Sequence, residues 1–286
     1  AQGALAQDKL YPNEFPIQQV TLTGGVLKHA QDLNIETLLK YDCDRLLAPY
    51  RKEAGLEPKA KAYPNWDGLD GHVGGHYLTA MALNAAKGNE ECRRRMEYII
   101  SEIAECAEAN NKNHPEWGKG YMGGMPNSAN IWSRFKKGDF SVYNGSWAPF
   151  YNLHKMYAGL RDAWLYCGNE QALSLFLQFC DWVVDLTAEL SDEQMERMLG
   201  NEHGGMNEVI ADAYAITGDR KYRVCAMRFS HKRLFTPMSQ RQDCLDNMHA
   251  NTQVPKYIGF ARIAQEDATV TTYAKAAKNF WQDVAD

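Results

Sequence analysis

From residue 71 onward one plan recurs four times: a Gly-rich or polar start, an amphipathic run, a tight turn and a second helical run. The runs go from Gly74-Gly75-His76-Tyr77 to Lys87-Gly88-Asn89, from Asn152-Leu153-His154-Lys155 to Cys167-Gly168-Asn169, from Gly204-Gly205-Met206-Asn207-Glu208 to Thr217-Gly218-Asp219, and from His249-Ala250-Asn251-Thr252-Gln253 to Gln265-Glu266-Asp267. Glycine followed by Asn or Asp suits such a turn. Glycine takes the left-handed conformation that stops one helix, and the next side chain caps the following one. Successive turns lie 80, 50 and 48 residues apart, counted from Gly88, Gly168, Gly218 and Glu266. The longer first interval holds a Gly-, Asn-, Trp- and Tyr-rich insertion around residues 112–146, which reads as a long functional loop.

Repeated helical hairpins of this size close into an α/α toroid. The expected fold is therefore all-α, an α/α toroid. Residues 1–24 read as an extended arm or one strand, ended by Gly24-Gly25, and residues 25–286 as the barrel domain. Inner helices of a toroid run parallel, so their starts share one mouth. That mouth would gather His76, His154, Asn207, Glu208, His249, Asn251, Thr252 and Gln253, with Trp66, Asp67, Trp147 and Tyr151 nearby. Helix starts also present unpaired N–H groups and a positive dipole end.

Each residue has a structural reading beside the functional one. A lone His commonly bonds a carbonyl in the core, Asn251 and Thr252 suit N-caps, and Glu208 suits a first helical turn. The recurrence of polar residues at four starts favours a shared site over capping alone.

Composition narrows the ligand. The net charge of −5 offers no basic face for a nucleic acid, and Arg93-Arg94-Arg95 reads as a solvated helix face. With 7 Trp, 15 Tyr and 10 Phe, many in polar company, the chain suits a sugar. Rings stack on apolar sugar faces while amides, carboxylates and imidazoles bond the hydroxyls. The 7 cysteines show no metal-ligand spacing and read as buried thiols. No apolar stretch is long enough to span a bilayer. The start at Ala1 without Met reads as a mature, exported chain, secreted or periplasmic. A glycosidase needs two carboxyl groups about the scissile bond. Glu208 is the leading candidate, with Asp67, Asp70 and Glu202 behind it, and no second partner stands out.

At these helix starts the sequence resembles the β-L-arabinofuranosidase family of glycoside hydrolases, the 127/146-like families. The matching segments are Asp44-Arg45-Leu46-Leu47, Trp66-Asp67-Gly68, Gly71-His72-Val73-Gly74-Gly75-His76-Tyr77-Leu78, Trp147-Ala148-Pro149-Phe150-Tyr151-Asn152-Leu153-His154-Lys155, Gly204-Gly205-Met206-Asn207-Glu208-Val209, and His249-Ala250-Asn251-Thr252-Gln253-Val254-Pro255-Lys256. The resemblance implies an (α/α)6 barrel followed by β-sandwich domains, and release of β-linked L-arabinofuranose from plant or algal glycans with retention. It implies a zinc-held cysteine nucleophile and a separate Glu as acid/base. It also implies sugar contacts by His249 and Thr252, and by His76. The family's acid/base Glu and its Cys and Glu zinc ligands match no residue here and are expected in segments that would follow Asp286. A sugar epimerase or other α/α-barrel sugar enzyme, or a non-catalytic carbohydrate-binding fragment, are the competing readings.

Overall fold

The computed structural model describes residues 10–64, 68–144 and 147–285. Among them are thirteen α-helices and no strand, so the protein is all-α, as expected for an (α/α)6 fold. Two compact units divide the chain.

The first unit comprises Ala1–Ala129 and Lys155–Trp182. Residues 10–24 contain one 3-10 turn, Ile17–Gln19, with extended backbone at Val20. The strand alternative does not form, because among the described residues there is no other strand whose backbone groups it could pair with. Helices α1 (Gly25–Leu38) and α2 (Cys43–Glu53) follow, then the hairpin α3 (His72–Ala86) and α4 (Glu90–Asn113). The hairpin turns as its residues dictate. Gly88 has φ 91°, and Asn89 Oδ1 accepts from the Cys92 amide at 2.9 Å. Leu78, Met81, Ala82 and Ala85 of α3 and Met96, Ile99, Ile100 and Ile103 of α4 are buried. Arg51 of α2 is buried with Glu102 at 2.8 Å.

Helix α3 begins earlier than its glycine pair suggests. Gly71, at φ 87°, is its N-cap, so Gly74 and Gly75 lie inside the first turn. They serve packing. A Cβ on Gly75 would stand 2.1 Å from the carbonyl carbon of Lys155 in α6 (Pro149–Cys167), and one on Gly159 would stand 2.7 Å from the Gly75 oxygen. The two backbones touch through glycine. Helix α6 turns at Gly168, φ 68°, into α7 (Glu170–Thr187), where Asn169 accepts from the Ala172 amide at 2.9 Å. Arg95 also departs from expectation. It donates to the carbonyls of Leu39 and Tyr41 and to Tyr77 Oη, so of the basic run only Arg94 remains on an open face.

The second unit comprises Asn130–His154 and Val183–Asp286. It holds most of α5 (Ser128–Phe135), then α8 (Asp192–Leu199), α9 (Met206–Thr217), α10 (Arg220–Arg228), α11 (Lys232–Ser239), α12 (Ala250–Glu266) and α13 (Thr271–Ala285). Ser191 and Gln194 close a capping box on α8. The α9–α10 turn uses Gly218 at φ 72° and Asp219, which accepts from the Lys221 amide. The 112–146 insertion is packed rather than an open loop. Tyr121, Met122 and Met125 are buried in the first unit, and Trp132 and Phe135 in the second. Phe135 meets Phe140, Tyr143 and Phe150 edge-on. Helices α9 and α12 close on a buried Arg262–Asp212 ion pair.

Candidate functional site

The six-residue link between α8 and α9, Gly200–Gly205, gathers a group of polar and aromatic side chains in the second unit. Its backbone is pinned to α12: the Gly204 amide donates to the Thr252 carbonyl at 3.0 Å. A Cβ on Gly204 would stand 2.1 Å from the Lys256 nitrogen, so only glycine lets the link lie on that helix. Gly205, at φ 124°, leaves room for the His154 ring, whose atoms lie 2.7 Å from where a Cβ would be.

The link thereby seats the His203 ring, which is buried at 7% exposure, behind the Trp147–Tyr151 aromatic pair. Its ring centroid is 4.4 Å from Tyr151, 5.8 Å from Trp147 and 6.4 Å from His249. Its Nε2 lies 3.2 Å from Thr252 Oγ1. Trp147 is 49% exposed, although the Asn201 amide holds its carbonyl at 2.7 Å. His249 is exposed. It is the N-cap residue of α12, yet its side chain makes no capping bond. Asn251 is exposed, and Thr252 and Gln253 are half-buried on the first turn. Gln253 Oε1 is buried with no hydrogen-bond partner among the described residues. Capping therefore does not account for this polar group.

One anticipated residue is placed differently. Asn207 is 1% exposed, donates to the Lys256 carbonyl at 2.9 Å, accepts from the Glu208 amide at 3.1 Å, and packs against Gly259. Its amide joins α9 to α12 and offers no open face to a ligand. Glu208 is half-buried in the first turn of α9, where the helix dipole favours a carboxylate.

Beneath the surface lie three buried ionisable groups. Glu202 accepts from Tyr143 Oη at 2.9 Å and from the Phe150 and Tyr151 amides at 3.1 and 3.2 Å. Burial pushes its carboxyl up to about 7, against those bonds and the Lys256 charge. Lys256 donates to the Leu199 carbonyl at 2.9 Å and lies 3.0 Å from His231 Nδ1. Burial pulls its ammonium down to about 8. His231, also desolvated and facing Lys256 and Arg233, is pulled down to about 3.

In the first unit, His76 is exposed on the first turn of α3, edge-on to the buried His72 with centroids 4.9 Å apart. Burial, then the charges of His76 and Lys155, pull His72 down to about 4. Asp70 precedes α3, and burial raises its carboxyl. Trp66 and Asp67 lie outside the described residues.

None of the seven cysteines is in a disulfide. Burial pushes the Cys43, Cys92, Cys106, Cys167 and Cys225 thiols up, the opposite of what a metal-bound thiolate needs. Among the described residues no three His, Cys, Asp or Glu side chains are grouped to hold a metal ion. These residues do not fit a zinc centre.

An exposed indole and the exposed His249 imidazole, with a half-buried tyrosine and hydroxyl, can stack on and hydrogen-bond a neutral polyol; the buried His203 ring backs them, and Glu202 and Glu208 are buried or held in a helix turn. His203 lies outside the set expected from sequence. Its signal is present, since Glu202-His203 precedes Gly204-Gly205 at the third helix start, but the helix-start pattern runs from the glycines onward and so passes over it.

Fold and site together define the class as an all-α protein of helical hairpins with exposed aromatic and polar side chains at its helix starts. The chain belongs to the β-L-arabinofuranosidase family, matching the GH127 catalytic domain over residues 19–286. No curated protein matches the sequence. Among solved structures, the GH127 β-arabinofuranosidase BT3674 is similar with a TM-score of 0.62 and 18% identity, covering 96% of this chain and 44% of that one. A GH127 β-L-arabinofuranosidase from Geobacillus stearothermophilus T6 is similar with a TM-score of 0.58 and 12% identity, covering 91% of this chain and 42% of that one. The chain thus spans less than half the length of either relative.

Proposed function

We propose that this chain supplies the sugar-recognition surface of a retaining glycoside hydrolase acting on β-L-arabinofuranosides. The observation that carries the reading is the Trp147–Tyr151–His203–His249 group with Thr252 on the first turn of α12. Trp147 offers an exposed apolar face for a furanose ring. His249, Thr252 and Gln253 offer donors and acceptors at a helix start, where backbone N–H groups add to them. Membership of a glycosidase family favours hydrolysis over epimerisation.

Recognition alone is assigned to these residues. Glu202 is engaged by three donors, and Glu208 sits in a helix turn, so neither is matched with a second carboxyl for acid and base roles. The zinc-held thiolate that the family resemblance implies has no counterpart among the described residues, so no cleavage step is assigned to them.

His249→Ala should weaken binding of methyl β-L-arabinofuranoside about tenfold, the loss of one good hydrogen bond. Calorimetric titration measures it, with far-UV circular dichroism unchanged. Equal affinity in wild type and variant would remove His249 from the site, and no saturable binding by wild type would remove the site itself.

A further inference from the structure

Helix α6 begins with Pro149, preceded by Ala148, which has no side-chain acceptor for the first amides of the helix. Those amides are orphan donors in any helix, and burying them unpaired costs about 1–3 kcal/mol each. Phe150 and its amide are buried. The acceptor comes from another part of the second unit, because the Glu202 carboxylate takes both the Phe150 and Tyr151 amides and Tyr143 Oη. Glu202 is 1% exposed, so it cannot touch a ligand at the surface.

What Glu202 holds is more telling. On one side of its bonds is the turn that carries Tyr151 and, two residues before Pro149, Trp147. On the other side, the next residue along the chain is His203. The same link is tied twice more, by Asn201 to the Trp147 carbonyl and by Thr252 to the Gly204 amide, and Lys256 holds the Leu199 carbonyl just before it. Both walls of the aromatic-imidazole group therefore meet in one buried carboxylate.

We infer that Glu202 is a positioning residue: by capping α6 from outside the helix, it sets Trp147 and Tyr151 at a fixed distance from His203. The inference rests on the sugar-binding reading above for its consequence, but the clamp itself is a property of the fold. A carboxyl group is suited to the place because its two oxygens accept three donors at once, and the helix start offsets part of the cost of burying its charge. Glutamine keeps one acceptor oxygen but sets an NH2 group against a donor; alanine keeps none.

The test combines amide hydrogen exchange with sugar titration on the full 286-residue chain, comparing wild type with Glu202→Ala, Glu202→Gln and Tyr143→Phe. Expected are exchange at Phe150 and Tyr151 at least tenfold faster in Glu202→Ala, with the α9–α10 hairpin unchanged. Affinity for methyl β-L-arabinofuranoside should fall about tenfold, with Glu202→Gln falling between the two. Tyr143→Phe, which leaves both amide bonds, should stay within about twofold of wild type. If Glu202→Ala does not fold, Glu202→Gln and Tyr143→Phe carry the comparison. Protected Phe150 and Tyr151 amides in the Glu202 variants would overturn the clamp. Unchanged affinity despite fast exchange would overturn the positioning role. A wild-type chain that binds no sugar would count against the sugar reading instead, and the exchange rates then decide the clamp alone.

Discussion

Histidines in this chain divide by where the backbone puts them. His72 and His231 are buried and held neutral, pulled down to about 4 and about 3. His249 is exposed at a helix start. The buried pair has a consequence for acid stability. A folded pKa below the ordinary 6.5 means the unfolded chain binds the extra proton first. The contribution of each neutral ring is complete above pH 6.5 and is lost as pH falls through about 4 for His72 and about 3 for His231. Thermal melts should therefore show a smaller drop between pH 6.5 and 4 for His72→Gln than for wild type; equal drops would mean that His72 is protonated in the folded state. Glu202 acts in the opposite sense. With its carboxyl raised to about 7, its contribution is complete below the ordinary value of 4.5 and is lost as pH rises through 7. At this scale the sequence is only partly legible. The polar residues of the α12 start are visible from their order, and the structure leaves His249 and Asn251 exposed there. Asn207 looks identical in kind, but a close helix crossing at Gly259 turns its amide into a core bond. Which side of a helix start faces a neighbour depends on packing partners far away in the chain.

Elements are easier to read than residues. Three of the four hairpin turns follow their Gly-Asn or Gly-Asp dipeptides to the residue, because a left-handed glycine and a side-chain cap are local physics. Helix starts are less legible. Gly74-Gly75 suggests the beginning of α3, whereas the helix starts at His72; Gly74 faces the Tyr50 ring, and Gly75 is where another backbone passes. Gly75→Ala should consequently destabilise the chain by about 1–3 kcal/mol, the range for overpacking. A denaturation midpoint like that of wild type would show that the contact relaxes. The Arg262–Asp212 pair, with side chains 5% and 0% exposed, gives the larger expectation. Asp212→Ala removes the fully buried partner of a buried guanidinium, which keeps Glu266 at 2.9 Å and Gln265 at 3.1 Å, so a loss of about 3–5 kcal/mol should appear in urea unfolding. A loss below about 1 kcal/mol would mean that Glu266 replaces Asp212 fully.

For the molecule as a whole, the repeat is the most informative feature of the sequence, since stacked helical hairpins of this size are a hallmark of α/α architectures. It leads to the all-α class and to the family that residues 19–286 match. The insertion at residues 112–146 misleads, because Gly, Asn and aromatic residues together suit both a mobile loop and a buried aromatic layer, and only tertiary contact separates them. The sugar surface proposed for the second unit lies at the starts of α6, α9 and α12. Its most direct test is a crystal structure of the chain with methyl β-L-arabinofuranoside. The furanose ring is expected against the Trp147 indole, with hydroxyls within hydrogen-bond distance of His249 and Thr252. A sugar bound elsewhere in the second unit, or none at saturating concentration, would contradict it.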